Sequence, residues 1–182
     1  MDNLNSLAKL IKNRNLIDKE ISKIIDRPAE KGHIAEFIAF KVFPIKMHEN
    51  KSTKDFDGFF TDGDLKGKKV DIKYHSVNEY LLNLNSNVEY DVFLLVFTGP
   101  YKPAASSKGQ TRPFCISNVY LFNEMKLCEE LRGERVKVGV AASVKKEHWD
   151  NSEVFPNNRA NVDLKMNDDL IRLFLCKISE LT

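Results

Sequence analysis

The sequence predicts an α/β domain in which helices flank a mixed central sheet. Apolar residues recur at helical spacing up to Pro44 and again near the C-terminus, whereas the apolar segments between them are short and bounded by turn residues. One of these segments, 92–97, is a continuous apolar run followed by Gly99 and Pro100, which is typical of a strand buried on both faces. The length of 182 residues suits one domain over 1–182 with its own core.

Residues 1–28 are predicted to form a helical extension. Two sets of apolar residues at helical spacing flank Asn15: Leu4, Leu7, Leu10 and Ile11, then Ile17, Ile21, Ile24 and Ile25. We expect two short amphipathic helices, the second ending before Pro28 because proline cannot continue a helix.

The predicted core covers 30–142 and begins with a helix over 30–43 that stops at Pro44. A strand over 56–60, a turn rich in Gly and Asp over 61–64 and a strand over 68–75 indicate a β-hairpin. The segment 92–97 is then expected as the central strand. Glu36 lies inside the otherwise apolar first helix, where an unpaired carboxylate would be costly to bury.

The rest of the chain is predicted as a loop, a helix, a strand and a polar tail with a last helix. The loop covers 99–112; Ser117 is expected to cap the helix, whose inner positions are Leu121, Met125, Cys128 and Leu131. A strand over 135–142 would follow, and the tail over 143–182 would end in an amphipathic helix from Leu170 to Leu181.

Composition leaves the class of partner open. The chain has 28 basic and 26 acidic residues, and its basic residues gather at 41–54, 66–73, 102–112 and 132–146. These clusters fit either a phosphate-binding face or an ordinary solvated surface. Three widely spaced cysteines are expected to be reduced core residues, and no apolar stretch is long enough to span a membrane. We therefore expect a cytoplasmic protein.

The pattern that indicates chemistry is Asp57 followed, across the predicted hairpin, by Asp71 and Lys73. Residues two apart in a strand share a face, so Asp71 and Lys73 should project together while Ile72 points into the core. Two carboxylates suit Mg²⁺, a hard cation that prefers oxygen ligands, and a neighbouring lysine can orient a water molecule or act as its base. The arrangement indicates phosphodiester hydrolysis.

The same residues resemble the signature of the PD-(D/E)xK nucleases, the restriction-endonuclease-like superfamily. Asp57 and the run from Asp71 to Lys73 match its hairpin motif, with Phe56 where the family name has proline. The segment 32–37 resembles the family's first core helix, whose glutamate here is Glu36. The resemblance implies an αβββαβ core over 30–142, an Mg²⁺ site at Glu36, Asp57 and Asp71 in which Mn²⁺ substitutes, and cleavage of nucleic acid, DNA above all. Many members act as dimers, so a homodimer is one assembly it allows.

Further residues and functions stay open at this point. His75 shares the predicted face of Asp71 and Lys73, and Lys102, Lys108 and Arg112 lie in the long loop, where they would contact phosphate or simply be solvated. One alternative function is a catalytically silent nuclease-fold module that binds nucleic acid or acts as a scaffold. Another is a small-molecule-binding α/β protein, for which the sequence gives no sign of a pocket.

Overall fold

The computed structural model describes residues 2–48, 56–85, 91–100 and 113–176, and these form an α/β fold around a six-stranded mixed sheet. The elements in chain order are α1 (Asp2–Ile25), α2 (Lys31–Val42), β1 (Ile45–Met47), β2 (Gly58–Phe60), β3 (Lys69–His75), β4 (Leu81–Leu82), β5 (Val92–Thr98), β6 (Asn118–Asn123), α3 (Glu124–Gly133), β7 (Ala142–Ser143), α4 (Lys146–Ser152), β8 (Glu153–Phe155) and α5 (Asp168–Arg172). The strand order is β1-β2-β3-β5-β6-β8, with β3 parallel to β5 and every other neighbouring pair antiparallel.

Both faces of the sheet are covered, and β5 shows how. Leu95 and Phe97 pack into the core cluster that contains the buried residues of α2, whereas Leu94 and Val96 pack into the cluster that contains the buried residues of α3 and α4. Since successive strand residues point to opposite faces, a strand buried on both must be apolar throughout. The prediction of a central, fully buried strand at 92–97 is confirmed. The small sheet of β4 and β7 lies on the α3 side.

The predicted hairpin is also confirmed. β2 pairs antiparallel with β3, and the turn between them contains Gly63 in a left-handed conformation (φ 66°), where its N–H donates to the Asp62 carboxylate at 2.8 Å. Glycine adopts such a φ without a steric penalty. The hairpin, with α2 packed against β3, positions the predicted acidic residues.

The N-terminal extension is one helix of 24 residues, so the prediction of two short helices is wrong. Asn15 does not interrupt it, because an asparagine inside a helix costs less than about 1 kcal/mol relative to alanine. The helix ends where Asp26 turns to a left-handed φ of 53°, two residues before Pro28. Within the described residues, no helix has the length and apolarity that crossing a membrane requires.

Two assignments after the central strand are corrected. The segment from Asn118 is a strand, not a helix capped by Ser117; α3 starts at Glu124, and Asn123 caps it by accepting the Lys126 N–H at 3.0 Å. The strand predicted at 135–142 does not form, because Arg135, Gly139 and Ala141 have positive φ values that break an extended conformation. The short elements β1, β4, β7, α4 and β8 were not predicted.

The C-terminal region also differs from its prediction. Among the described residues α5 ends at Arg172, well short of the helix expected to reach Leu181. Cys176 forms a disulfide with Cys115, so two of the three cysteines are not reduced as expected, whereas Cys128 is free and buried. The expectation of a cytoplasmic protein rested in part on reduced cysteines. Because Cys115 and Cys176 form a disulfide, they do not support that expectation.

Candidate functional site

Asp57 is fixed at the end of the β2–β3 pairing. Its own N–H donates to the Val70 carbonyl at 2.9 Å, and its carboxylate Oδ2 accepts the N–H of Ile72 at 2.7 Å. The side chain thus satisfies a backbone donor of β3 beyond the point where β2 has ended. Because this contact is to the backbone of the strand, the Asp57 carboxylate lies close to the level of the sheet.

The glycine after Asp57 is required by the neighbouring strand. A Cβ at Gly58 would lie 2.5 Å from the Lys46 carbonyl oxygen, a backbone atom of β1. Real Cβ atoms essentially never approach so closely, so any side chain here would push β1 and β2 apart. The Asp-Gly pair in the sequence therefore has a structural cause. The aspartate accepts a backbone N–H of β3, and the glycine leaves room for the backbone of β1.

Asp71 and Lys73 project together from β3, as predicted. The Lys73 Nζ donates to Asp71 Oδ1 at 2.9 Å and lies 2.7 Å from Oδ2, so the two side chains form a hydrogen-bonded ion pair. The side chain of Asp71 is 20% exposed and that of Lys73 is 38% exposed. A hydrogen bond also joins the carboxyl groups of Asp71 and Asp57. The structure thus brings the three residues of the predicted motif into one connected cluster.

The two aspartates hold protons more tightly than ordinary carboxyl groups. Burial is the largest cause that raises the pKa of Asp71 from 3.8 to about 6; the Lys73 ammonium opposes it, and the Asp57 charge adds to it. Burial also raises the pKa of Asp57, with a further contribution from the charge on Glu36, against the hydrogen bond from Ile72. Loss of hydration is thus the main reason that both carboxyl groups resist ionisation, and the like charges nearby add to it.

Lys73 remains protonated in this environment. Burial alone would lower its pKa, but the Asp71 carboxylate, with help from Asp57 and Glu124, raises the pKa above its usual value. The raised pKa makes Lys73 a poor general base in this environment. Lys73 is a hydrogen-bond donor and a positive charge, which leaves the predicted alternative of orienting a water molecule.

Glu36 is near this cluster but is held by another partner. It lies on α2, its side chain is only 14% exposed, and it forms an ion pair with Arg27. Its charge reaches Asp57, whose pKa it raises. No group of three or more His, Cys, Asp or Glu side chains in the described part of the chain is arranged to hold a metal ion. Of the three predicted metal ligands, Asp57 and Asp71 thus lie together, whereas Glu36 is nearby but paired with Arg27.

Sequence reasoning missed Glu124, a buried acid on the far side of the cluster. It is the first residue of α3, is 5% exposed, and accepts the Asn85 N–H at 2.7 Å. Burial raises its pKa most, the Asn85 hydrogen bond opposes this, and the charge on Asp71 raises it further. The available signal was a glutamate directly after the strand-like run 118–123, but that run had been assigned to a helix with an exposed first turn.

No protein-family model matches this chain, and no curated protein matches it. The case for a function therefore rests on the chemistry of the cluster itself.

The cluster fits a hard divalent cation. Asp57 and Asp71 offer carboxylate oxygens; burial is the main cause of their raised pKa values, neighbouring carboxylates add to it, and a cation would favour the ionised form of both. Mg²⁺ commonly uses only one or two protein carboxylates and keeps several waters, so two aspartates form a sufficient donor set. The residues that would hold the ion are Asp57 and Asp71, with Glu36 close enough to influence it.

The remaining predicted residues lie at or beyond the edge of this cluster. His75 is half-buried at the end of β3, and burial, together with the charge on Lys73, lowers its pKa, so its imidazole is neutral at pH 7. It is an available hydrogen-bonding group on the face of Asp71 and Lys73. Lys102, Lys108 and Arg112 lie outside the described residues.

Proposed function

We propose that this protein is a metal-dependent nuclease that hydrolyses phosphodiester bonds, with DNA as its substrate. The observation that carries the proposal is the connected cluster of Asp57, Asp71 and Lys73, in which two hydrogen-bonded carboxyl groups meet one ammonium. The resemblance of these residues to the PD-(D/E)xK motif supports it. The order of elements supports it in part: α2, the β2–β3 hairpin, β5 and α3 follow one another as in the family's core, but β1, β4 and β6 lie among them and the last strand expected at 135–142 does not form.

Each residue has a role that follows from its environment. Asp57 and Asp71 hold Mg²⁺, which when bound polarises the phosphate and lowers the pKa of a coordinated water. Lys73, fixed by Asp71 and kept protonated, donates to a phosphate oxygen or to the attacking water and offsets negative charge that develops in the reaction. Asp57 keeps its orientation through the Ile72 N–H, so the site is built before substrate arrives.

The pKa of Asp71 predicts how activity depends on pH. A carboxyl group must lose its proton to bind a metal ion, and for Asp71 this occurs at about pH 6 in the metal-free protein. Bound metal favours the ionised form, so raising the metal concentration should shift the acidic limb of the pH profile to lower pH. A profile that is flat between pH 5 and 7, with metal subsaturating, would contradict the role of Asp71 as a ligand.

One observation favours a second candidate function, a nuclease-fold module that binds nucleic acid without cleaving it. Glu36 is engaged by Arg27, and the described residues contain no group of three metal-binding side chains. If cleavage needs Glu36 as a third ligand, the ion pair with Arg27 blocks it. The two candidates share the fold and differ in whether phosphodiester bonds are broken.

A cleavage panel separates the candidates. Double-stranded, single-stranded and nicked DNA and RNA are each incubated with the protein in Mg²⁺, Mn²⁺ or EDTA. The nuclease proposal expects cleavage of DNA with Mg²⁺ or Mn²⁺ and none with EDTA. It also expects Asp71→Asn and Lys73→Met to lower the rate by at least about 100-fold, because the first weakens the metal site and the second removes a donor to the reacting phosphate or water.

Lys68 provides a matched control for Lys73. Lys68 directly precedes β3 and, like Lys73, forms an ion pair with an aspartate, Asp91. The Lys68–Asp91 pair is more exposed to solvent and lies outside the cluster. Lys68→Met should therefore leave the rate within a few-fold of wild type, since exposed ion pairs contribute little. Equal losses in the Lys73 and Lys68 variants would refute the assignment. Salt-sensitive DNA binding without cleavage under any metal condition would favour the silent module.

A further inference from the structure

The N-terminal helix leaves its apolar side chains uncovered. Seven large hydrophobic residues of α1 are exposed, with exposed fractions from 49% for Ile11 to 73% for Leu4: Leu4, Leu7, Leu10, Ile11, Leu16, Ile17 and Ile24. Among the described residues, α1 is covered at its C-terminal end, where Ile25 is buried and α2 lies against it. Soluble proteins rarely leave a contiguous apolar surface of this kind without a partner.

Four of the exposed residues, Leu7, Leu10, Ile17 and Ile24, and the partly exposed Ile21 lie at the spacing of a coiled-coil seam. From Leu7 the steps along the helix alternate between three and four residues through Leu10, Arg14, Ile17, Ile21 and Ile24. This is the 3.5-residue repeat by which two helices keep the same faces together over their length. At about 1.5 Å per residue, the 24-residue helix is roughly 36 Å long. Arg14 is the single charged residue within the repeat.

The charges in the middle of α1 determine what kind of partner fits. Arg14 is in the seam, and Asp18, one turn later, lies beside it and forms an exposed ion pair with it at 3.5 Å. A lipid surface would have to accommodate Arg14 within the apolar face and this aspartate beside it, where charged groups are costly. A second α1 in the opposite direction instead brings an arginine to each aspartate.

We propose that α1 pairs with α1 of a second copy of this chain as an antiparallel two-helix coiled coil. In the register that is symmetric about the middle of the helix, Leu7 faces Ile24 of the second copy and Leu10 faces its Ile21. Arg14 then lies next to Ile17 and within reach of Asp18 of the second copy. A parallel pair would place the two Arg14 side chains against each other, and like charges in a seam disfavour that arrangement.

Sedimentation equilibrium on the full chain tests the assembly, and two adjacent residues provide a matched pair of variants. Ile17 and Leu16 are almost equally exposed, at 60% and 63%, but only Ile17 lies in the seam. The wild type should sediment as a dimer, Ile17→Glu should weaken dimerisation by at least about tenfold, and Leu16→Glu should leave it unchanged. Both side chains lie outside the core, so far-ultraviolet circular dichroism should show a folded protein for each.

The direction of the helices is tested by charge exchange and by crosslinking. Arg14→Glu and Asp18→Arg should each weaken the homodimer, whereas an equimolar mixture of the two variants should form a heterodimer. Under mild oxidation, Leu7→Cys mixed with Ile24→Cys should give a mixed crosslink.

Three results would overturn the proposal. These are a monomeric wild type at tens of micromolar, equal effects of Leu16→Glu and Ile17→Glu, and homodimeric crosslinks of Leu7→Cys. Binding of a monomeric wild type to phosphatidylserine vesicles, abolished by Ile17→Glu, would overturn it in favour of a membrane surface.

Discussion

Replacing Asp71 by asparagine should stabilise the protein when no metal ion is bound. In the folded chain the pKa of Asp71 is about 6, against 3.8 for an ordinary aspartate, because the group is buried and next to Asp57. Asparagine resembles the protonated aspartate: it has no charge, and its amide can donate to the Asp57 carboxylate as the Asp71 proton does. The substitution therefore removes the charge that the folded state disfavours and keeps the hydrogen bond.

The size of the effect follows from the pKa difference. Between pH 3.8 and about 6 the folded chain binds more protons at Asp71 than the unfolded chain, so the free energy of unfolding falls as pH rises through this window. At about 1.4 kcal/mol for each tenfold change in proton affinity, the loss is roughly 3 kcal/mol and is complete above pH 6. Below pH 3.8 both states are protonated and the loss vanishes. Asp71→Asn should thus gain up to about 3 kcal/mol at pH 8 and almost nothing at pH 3.5.

The assay is thermal unfolding of both proteins in EDTA at a series of pH values. For a domain of this length, 1 kcal/mol corresponds to roughly 2–4 °C in Tm, so a gain of up to roughly 6–12 °C is expected at pH 8. Adding Mn²⁺ should raise the Tm of the wild type and have a smaller effect on the variant, because a ligand of the folded state stabilises it by mass action.

Asp62 provides the control with the opposite sign. It is an exposed carboxylate whose pKa is lowered, mainly by its hydrogen bond from Lys165. Asp62→Asn should not stabilise the protein at pH 8, because the folded state favours the charge at this position. The reasoning about Asp71 is refuted if Asp71→Asn is less stable than wild type in EDTA at pH 8, or if its gain is the same at pH 3.5 and pH 8.

Two further predictions concern the scaffold of the site and the C-terminal region. Gly58→Ala should destabilise the protein and lower metal affinity together, because the added Cβ meets the Lys46 carbonyl at 2.5 Å and displaces Asp57; unchanged Mn²⁺ affinity by calorimetry would contradict this. Reducing the disulfide between Cys115 and Cys176, 61 residues apart, should lower the free energy of unfolding by about 4 kcal/mol. Urea unfolding with and without dithiothreitol measures it, with Cys115→Ser as a check; coincident curves would show that the pair does not stabilise the fold.

The sequence predicted most of the site because its signals are local. Asp71 and Lys73 share a face through the two-residue period of a strand, and a turn rich in Gly and Asp marked the hairpin that brings Asp57 to them. The apolar run at 92–97 could only be a fully buried strand or a core helix, and its length decided for the strand. These inferences need only neighbours along the chain or across one hairpin.

The parts that could not be predicted depend on tertiary contacts. The residues of β6 fit a helix or a strand by local pattern, and pairing with β5 selects the strand. The segment 135–142 has strand-like composition, yet Arg135 and Ala141 adopt left-handed conformations that no local signal announced. The disulfide forms because the fold brings together Cys115 and Cys176, which are 61 residues apart in the sequence. The spacing of the cysteines alone does not reveal this.

Arg27 is the partner of Glu36, which the sequence did not reveal. A buried carboxylate needs compensation, and Glu36 obtains it from the residue just after α1, whose guanidinium is only 28% exposed. The pair lies on the α2 side of Asp57, while Asp71 and Lys73 approach from the other face of the sheet. Asp57 is thus flanked by one ion pair on each side, and Arg27 and Lys73 each bring a positive charge to the three carboxylates. Any cation bound at Asp57 then competes with Arg27 for Glu36, so the number of carboxylates that reach the metal depends on the connection between α1 and α2.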